Sequence, residues 1–191
     1  MQKVFYIFRH GETDHNKERR WQGCGIDAPL NSTGVEQAKQ LTATLANKDI
    51  QIIYSSPLQR ALKTAHIVAD SLNIPIKIIP NLREGNFGQA EGMLKTEIAI
   101  KFKDIFQEWY SDTNNMDICF PQGETKHQMQ QRMLDVLDQL IKKPETVVGI
   151  ASHGSSIRYL LMHFGYQPHK MQNTALYQLE YEDGIWRLEV L

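Results

Sequence analysis

Cysteine is scarce in this chain of 191 residues: Cys24 and Cys119 stand alone and far apart. Two such thiols build no disulfide framework and have no metal-ligand spacing, so they read as reduced thiols of a cytoplasmic protein. An excess of charge of one sign is also lacking. Lys and Arg number 21 against 22 Asp and Glu, and no basic block interrupts the balance, which gives no support to a nucleic-acid or membrane-surface partner. No apolar run approaches the roughly 20 residues of a membrane span. The short apolar run at the start is broken by Arg9 and His10, with no small-residue cleavage site after it, so a signal peptide is not expected. Repeats, linkers and low-complexity segments are missing too. With 41% hydrophobic residues, residues 1–191 are expected to form one domain with a sizeable core.

What is present is organised around Val4 to Gly11, reading Val-Phe-Tyr-Ile-Phe-Arg-His-Gly. An apolar run of this kind reads as a strand buried on both faces, which belongs to a largely parallel sheet. In such sheets ligands bind beyond the carboxyl ends of the strands, where Arg9 and His10 lie. A second stretch, Thr146 to Ser152 followed by His153-Gly154, looks like a copy. Two strands that each deliver a His-Gly to one rim predict a two-histidine site.

The remaining pattern alternates. A long polar loop, Glu12 to Ser32, leads into a helix capped by Ser32 or Thr33, with Val35, Ala38, Leu41 and Leu45 on its apolar face. Within that loop Gly23-Cys-Gly25-Ile-Asp-Ala28 imitates a dinucleotide fingerprint, but no strand precedes it directly and Pro29 follows. Strand 50–54 ends at Ser55-Ser56-Pro57. A helix from Leu58 to Leu72 follows, capped by Ser55 or Ser56. A third strand, 74–79, runs into Glu84, and one helix is expected from about Lys95 to Tyr110. Residues 113–122 read as irregular. A long helix spans about 124–142, with Met129 and Met133 in the core. A helix after Gly154 ends at Gly165, and a hairpin turns at Glu182-Asp183-Gly184. The alternation implies a three-layer α/β/α sandwich with a mainly parallel mixed sheet.

Four strand ends thus bring polar groups to one edge: Arg9 and His10, then Arg60 at the start of a helix, then Glu84, then His153 with the helix N–H groups after Gly154. Phosphoryl transfer needs cations around a dianion, an in-line nucleophile and a proton donor for the leaving oxygen. Arg9-His10-Gly11-Glu12-Thr13 with Asn16 downstream resembles the signature of the histidine phosphatase family, the superfamily that includes the cofactor-dependent phosphoglycerate mutases. Leu30 to Ala38, Ser55 to Ala65, Leu82-Arg83-Glu84 with Phe87-Gly88 and Glu91-Gly92, and Ser152-His153-Gly154 with Ile157-Arg158 follow in that family's order. The resemblance covers most of the chain and implies a phosphoglycerate mutase-like fold.

It also implies roles. His10 would be the nucleophile that becomes a phosphohistidine. Arg9, Arg60 and His153 would bind the phosphate oxygens, with Asn16, Gln22, Gly23 and Gly154 assisting. Glu84 would give a proton to the leaving oxygen and later take one from water, in preference to Glu12 or Glu91. No metal or cofactor is implied. The other histidines, 15, 66, 127, 163 and 169, match no catalytic motif.

Mutases of this family follow the catalytic Glu with Arg-x-Tyr-Gly and a longer basic insertion. Here Gly85-Asn-Phe-Gly-Gln-Ala-Glu-Gly92 follows, and the stretch to His153 is short, as in the phosphatase branch. The expectation is a metal-independent phosphomonoester hydrolase acting on a small phosphorylated metabolite, with a phosphoglycerate mutase as the alternative. A non-catalytic phosphoester-binding module would lack a catalytic residue, and none is missing. Gly85-Asn86, Ala90 and Ser155-Ser156 depart from the usual phosphatase pattern and leave sugar phosphates, α-ribazole phosphate, phosphoserine and phosphoglycerates open. Residues 93–122 are expected to cover the substrate, with Lys95, Lys101, Lys103, Trp109 and Tyr110 on the leaving-group side. The C-terminal hairpin and Leu191 leave a homodimer open.

Overall fold

The computed structural model describes residues 2–111, 115–167 and 171–191. In chain order the elements are β1 (Gln2–Arg9), α1 (Asp14–Lys17), α2 (Ser32–Leu45), β2 (Ile52–Ser55), α3 (Gln59–Leu72), β3 (Ile76–Ile78), α4 (Lys95–Lys101), α5 (Lys103–Trp109), α6 (Lys126–Ile141), β4 (Val147–Ser152), α7 (Gly154–His163), β5 (Leu176–Glu182) and β6 (Ile185–Val190). Six strands form one sheet in the order β3-β2-β4-β1-β5-β6. The pairs β3·β2, β2·β4 and β4·β1 are parallel, while β1·β5 and β5·β6 are antiparallel.

The sheet's two faces follow from the two-residue period of a strand. Phe5 and Ile7 of β1 pack with Met133 and Leu137 of α6 and Ile157 and Leu161 of α7. Tyr6 and Phe8 point the other way, onto Leu41 and Leu45 of α2 and Ala65 and Val68 of α3. This is the expected three-layer α/β/α sandwich. Its register decides where the chemistry falls. Arg9 lies opposite Ser152, and Ser55 opposite Ala151, so His10, Ser56 and His153 leave three adjacent strands side by side.

Several local expectations are corrected. Asn31, not Ser32 or Thr33, caps α2, its Oδ1 accepting the Gly34 N–H at 2.9 Å. The start of α3 is capped from a distance: Asp27 Oδ1 accepts the Gln59 N–H at 2.6 Å, while Ser56 Oγ accepts that of Leu58. β3 is shorter than expected because Pro75 has no N–H to give and Pro80 opens a 3-10 turn. The single helix expected over 95–110 is two, broken at Phe102 (φ −123°, ψ 46°). Tertiary packing overrides propensity there: Phe102 turns its ring against Phe120, and Ile98 and Trp109 are both buried in a third cluster with Phe87, Met129 and Tyr159. α6 begins at Lys126 behind a Thr125 cap, because Glu124 is engaged by Arg132, Arg83 and the Asn86 N–H. Met129 and Met133 are core residues, as expected.

Candidate active site

The carboxyl ends of β1, β2 and β4 open onto a cavity of about 410 Å³, within the range of small-molecule sites. His10 is buried, its ring centroid 5.1 Å from that of His153. Its Nδ1 lies 2.7 Å from the Gly11 carbonyl. A carbonyl only accepts, so the proton sits on Nδ1 and Nε2 keeps its lone pair. Gly11 is required here by close approach. A Cβ would lie 2.3 Å from the Gly34 carbonyl oxygen, where the loop after β1 rests on the start of α2. The Gly11 N–H donates to Thr64 Oγ1, and Asn173 Nδ2 donates to the His10 carbonyl. The histidine is thus fixed from both sides by backbone bonds. Burial, then the charges of Arg9 and Arg60, hold its pKa well below the ordinary histidine value, so the ring is neutral.

Arg9 Nη1 donates to the Met171 carbonyl at 2.7 Å, and Arg60 donates to the Gly23 and Ile26 carbonyls at 2.7 and 2.9 Å. In both, the buried Nε has no partner. Burial lowers the Arg9 guanidinium to about 10, against the opposing pull of Glu84, so it stays a cation at neutral pH. Carbonyl partners leave those cations uncompensated by any directly paired carboxylate. That is a setting ready for an anion with planar donors.

His153 is fully buried beneath the cavity, with Nε2 2.7 Å from Ser56 Oγ and Nδ1 unpartnered. Burial first, then Arg60 and His10, lowers its pKa well below the histidine value as well. Glu84 is buried beside them. Of the three candidate carboxylates it is the one that lines the cavity. Glu12 accepts from Asn31 Nδ2, and Glu91 accepts the N–H groups of Gly25 and Phe87. Glu91 thereby holds the 23–25 turn whose carbonyl receives Arg60.

One expectation is corrected here. The N–H groups of Ser155 and Ser156 in the first turn of α7 are not open to phosphate: they donate to Glu84 at 3.2 and 3.1 Å, joined by the Gly85 N–H at 2.9 Å. The helix end holds the Glu84 side chain and does not stand open to an anion. Gly154 still lines the cavity, as do Asn16, Gln22 and Gly23. Asn16 Oδ1 is taken by Thr13 and Asn173, which leaves its NH₂ as the group it can offer. Gln22 is buried with Oε1 unpartnered.

On the leaving-group side Lys95, Trp109 and Tyr110 line the cavity, while Lys101 and Lys103 do not. His66, His127 and His163 are exposed and His15 is half-buried; His169 lies outside the described residues. Sequence reasoning missed Asn173, Met171 and Arg132. Arg132 donates to the Asn81 and Arg83 carbonyls and to Ser156 Oγ, bracing the strand end that carries Glu84. Only a buried arginine in the middle of an apolar helix face could have flagged it. Nothing in the sequence flags the other two. Among the described residues no group of His, Cys, Asp and Glu could hold a metal ion, and no helix is long and apolar enough to cross a membrane.

Comparison with known proteins gives the family. Residues 5–191 match the family model of the histidine phosphatase superfamily, branch 1. The chain is 30% identical over 189 residues to an uncharacterized phosphatase PhoE of Bacillus subtilis, covering 96% of this chain and 91% of that one. It is 31% identical over 189 residues to a metal-independent phosphoserine phosphatase of Arabidopsis thaliana, covering 96% and 78%. A phosphoglycerate mutase structure from Bacillus anthracis superposes with a TM-score of 0.89 at 25% identity, covering 100% and 92%. The chain belongs to the histidine phosphatase superfamily and is a phosphatase of that family.

Proposed function

We propose that the chain hydrolyses a small phosphate monoester without a metal, through a phosphohistidine on His10. The observation that carries this reading is the neutral Nε2 of His10, its tautomer pinned by the Gly11 carbonyl, between two guanidiniums that have only carbonyl partners. The phosphoryl group would sit between Arg9 and Arg60, with His153 and the Asn16 amide assisting. His10 Nε2 attacks phosphorus while the bond to the leaving oxygen breaks, and Glu84 in its acid form supplies that oxygen's proton. Water then attacks the phosphohistidine, Glu84 takes its proton, and inorganic phosphate leaves. The arginines stabilise the charge that gathers on the equatorial oxygens. Residues 93–122 act as the substrate-covering part of the single domain, in a cytoplasmic enzyme.

The competing reading is a phosphoglycerate mutase, favoured by the likeness to the Bacillus anthracis structure. A mutase must shield its phosphohistidine from water, and the short segment after Glu84 argues for hydrolysis.

The test is phosphate release from para-nitrophenyl phosphate and a panel of metabolite monoesters with chelator present, for the wild type and His10→Ala. Hydrolysis should persist with chelator and fall by at least about 10⁴-fold in the variant. Quenched reactions should trap an acid-labile, alkali-stable phosphoryl label on the protein. Unchanged hydrolysis in His10→Ala would overturn the reading. Efficient isomerisation of 3-phosphoglycerate with bisphosphoglycerate and little hydrolysis would replace it with the mutase.

A further inference from the structure

The sheet ends in two edges, and the chain treats them differently. β3 closes one edge with three residues, Ile76–Ile78. Pro75 stands before it, Pro80 shortly after it and Lys77 within it. Shortness, proline and lysine are devices that keep an edge from pairing with another chain. β6 closes the other edge with six residues, Ile185–Val190, and holds neither proline nor lysine. Its ladder with β5 runs from the pair Glu182 and Ile185 to the pair Tyr177 and Val190 without a bulge. Among the described residues no strand pairs beyond it. Ile185, Val190 and Leu191 along this edge are 59%, 51% and 45% exposed. An edge of this kind is a template for a further strand.

The hairpin fixes which backbone groups of β6 face outward. Asp183 and Gly184 have φ of 47° and 89°, the left-handed pair of a two-residue type I′ turn. The residues flanking such a turn, Glu182 and Ile185, bond to each other, and bonded pairs then alternate along the ladder. Ile185, Arg187 and Glu189 therefore give their N–H and C=O groups to β5, and the Leu191 N–H follows by donating to the Leu176 carbonyl. Trp186, Leu188 and Val190 turn theirs to the open edge. A second β6 running antiparallel bonds those outward groups when Leu188 lies opposite Leu188 of the other copy. Trp186 then faces Val190, and exposed Ile185 meets exposed Leu191. Arg187 faces Glu189 in the closer, non-bonded pairs, twice by symmetry. A slip of one residue sets outward groups against groups already given to β5 and turns every side chain to the wrong face. A slip of two puts Arg187 against Arg187 or Glu189 against Glu189. Arg187 also reaches Glu182 of its own hairpin at 3.4 Å, an exposed contact that uses one of its guanidinium donors.

We propose that β6 is a homodimer interface: it pairs antiparallel with β6 of a second copy, centred on Leu188, and joins the two six-stranded sheets into one. The occupant is named by the strand itself. Ile185-Trp-Arg-Leu-Glu-Val-Leu191 is self-complementary about its central leucine, with opposite charges one step out and apolar residues beyond. The pairing leaves both cavities open. Leu191 lies at the rim where β1 ends, since its N–H meets Leu176 while that of Arg9 meets the neighbouring Ala175. An antiparallel copy therefore presents its own rim at the opposite side of the joined sheet.

The test is sedimentation equilibrium of the full chain over a dilution series through the micromolar range. The wild type should reach twice the mass of one chain, and a wild type that stays at the mass of one chain overturns the proposal. Arg187→Glu and Glu189→Arg each set like charges against each other at both symmetric pairs, and each should weaken association by roughly ten- to a hundredfold. Mixed in equal amounts, the two variants oppose unlike charges again, and the dimer should return with one chain of each kind. That recovery also shows both variants to be folded. Val190→Pro removes an outward N–H, leaves the β5 ladder its bonds, and should weaken association as well. A dimer that both charge reversals and Val190→Pro leave intact lies elsewhere on the molecule and overturns the proposal, as does failure of the mixed variants to reassociate.

Discussion

At the phosphoryl end of the cavity Arg9, His10, Arg60 and Glu84 are each tied to main-chain atoms at the ends of strands or at a helix start. At the leaving-group wall the charged groups rest on rings: Lys126 over Trp109, Lys95 over Tyr110. Both rings sit at the end of the short helix α5, and Trp109 packs 5.1 Å from Phe120 and 6.0 Å from Tyr159. Main-chain partners are present whatever the neighbouring side chains are, so they hold a geometry that one reaction needs. A wall made of side-chain packing can be rebuilt by substitution without disturbing that geometry. On the proposed reading, the contrast puts the reaction at one end and the choice of substrate at the other.

The strongest way to break this contrast is to keep a charge and remove its fork. Arg60→Lys preserves the cation but cannot bond the Gly23 and Ile26 carbonyls and a phosphate together. Steady-state kinetics on para-nitrophenyl phosphate should show kcat/KM down by about a hundredfold; a loss under threefold would mean that charge alone suffices and main-chain anchoring is incidental.

A smaller effect is expected from the wall. Trp109→Ala removes a buried ring from the third cluster and should cost about 3 kcal/mol of stability in urea unfolding. Its kcat/KM on para-nitrophenyl phosphate should fall by less than about tenfold, because that ester asks little of the wall. A loss as large as that of Arg60→Lys would show that the two ends are not separable.

The smallest effect sharpens the contrast through pH. His10 and His153 are held neutral by burial and by the arginines, with folded pKa values well below 6.5. The unfolded chain binds protons below about pH 6.5 that the folded chain refuses. Stability should therefore fall as pH drops below that value, by about 1.4 kcal/mol per pH unit for each histidine, and gain nothing from them above it. Urea titrations between pH 7 and 5 should show a shallower acid loss in His10→Ala, and an unaltered one in Trp109→Ala. Equal slopes in all three proteins would mean that the histidines are not held neutral.

Much of the fold was legible because its signals are local. Apolar runs at β1 and β4, the stripes of α2 and α6, and the turn at Asp183-Gly184 depend on neighbours two to four residues away. The break at Phe102 was not legible, since a continuous helical stripe gives no warning that its middle residue will turn towards Phe120. The cap of α3 by Asp27 was equally hidden, since the two residues meet only once the loop has closed over the helix.

By itself the sequence determined that two strands would end in His-Gly, and that arginines and a glutamate would follow neighbouring strand ends. Parallel pairing then had to gather them on one rim. Only the tertiary structure decided how they are held and what each can still bind. It gave the first N–H groups of α7 to Glu84, 71 and 72 residues away. It supplied Asn173 and Met171 as supports for His10 and Arg9, and it set Lys126 over the face of Trp109. Hydrogen-bond satisfaction and burial are properties of the packed chain, and no pattern of neighbours in sequence encodes which buried donor will be left waiting for a ligand.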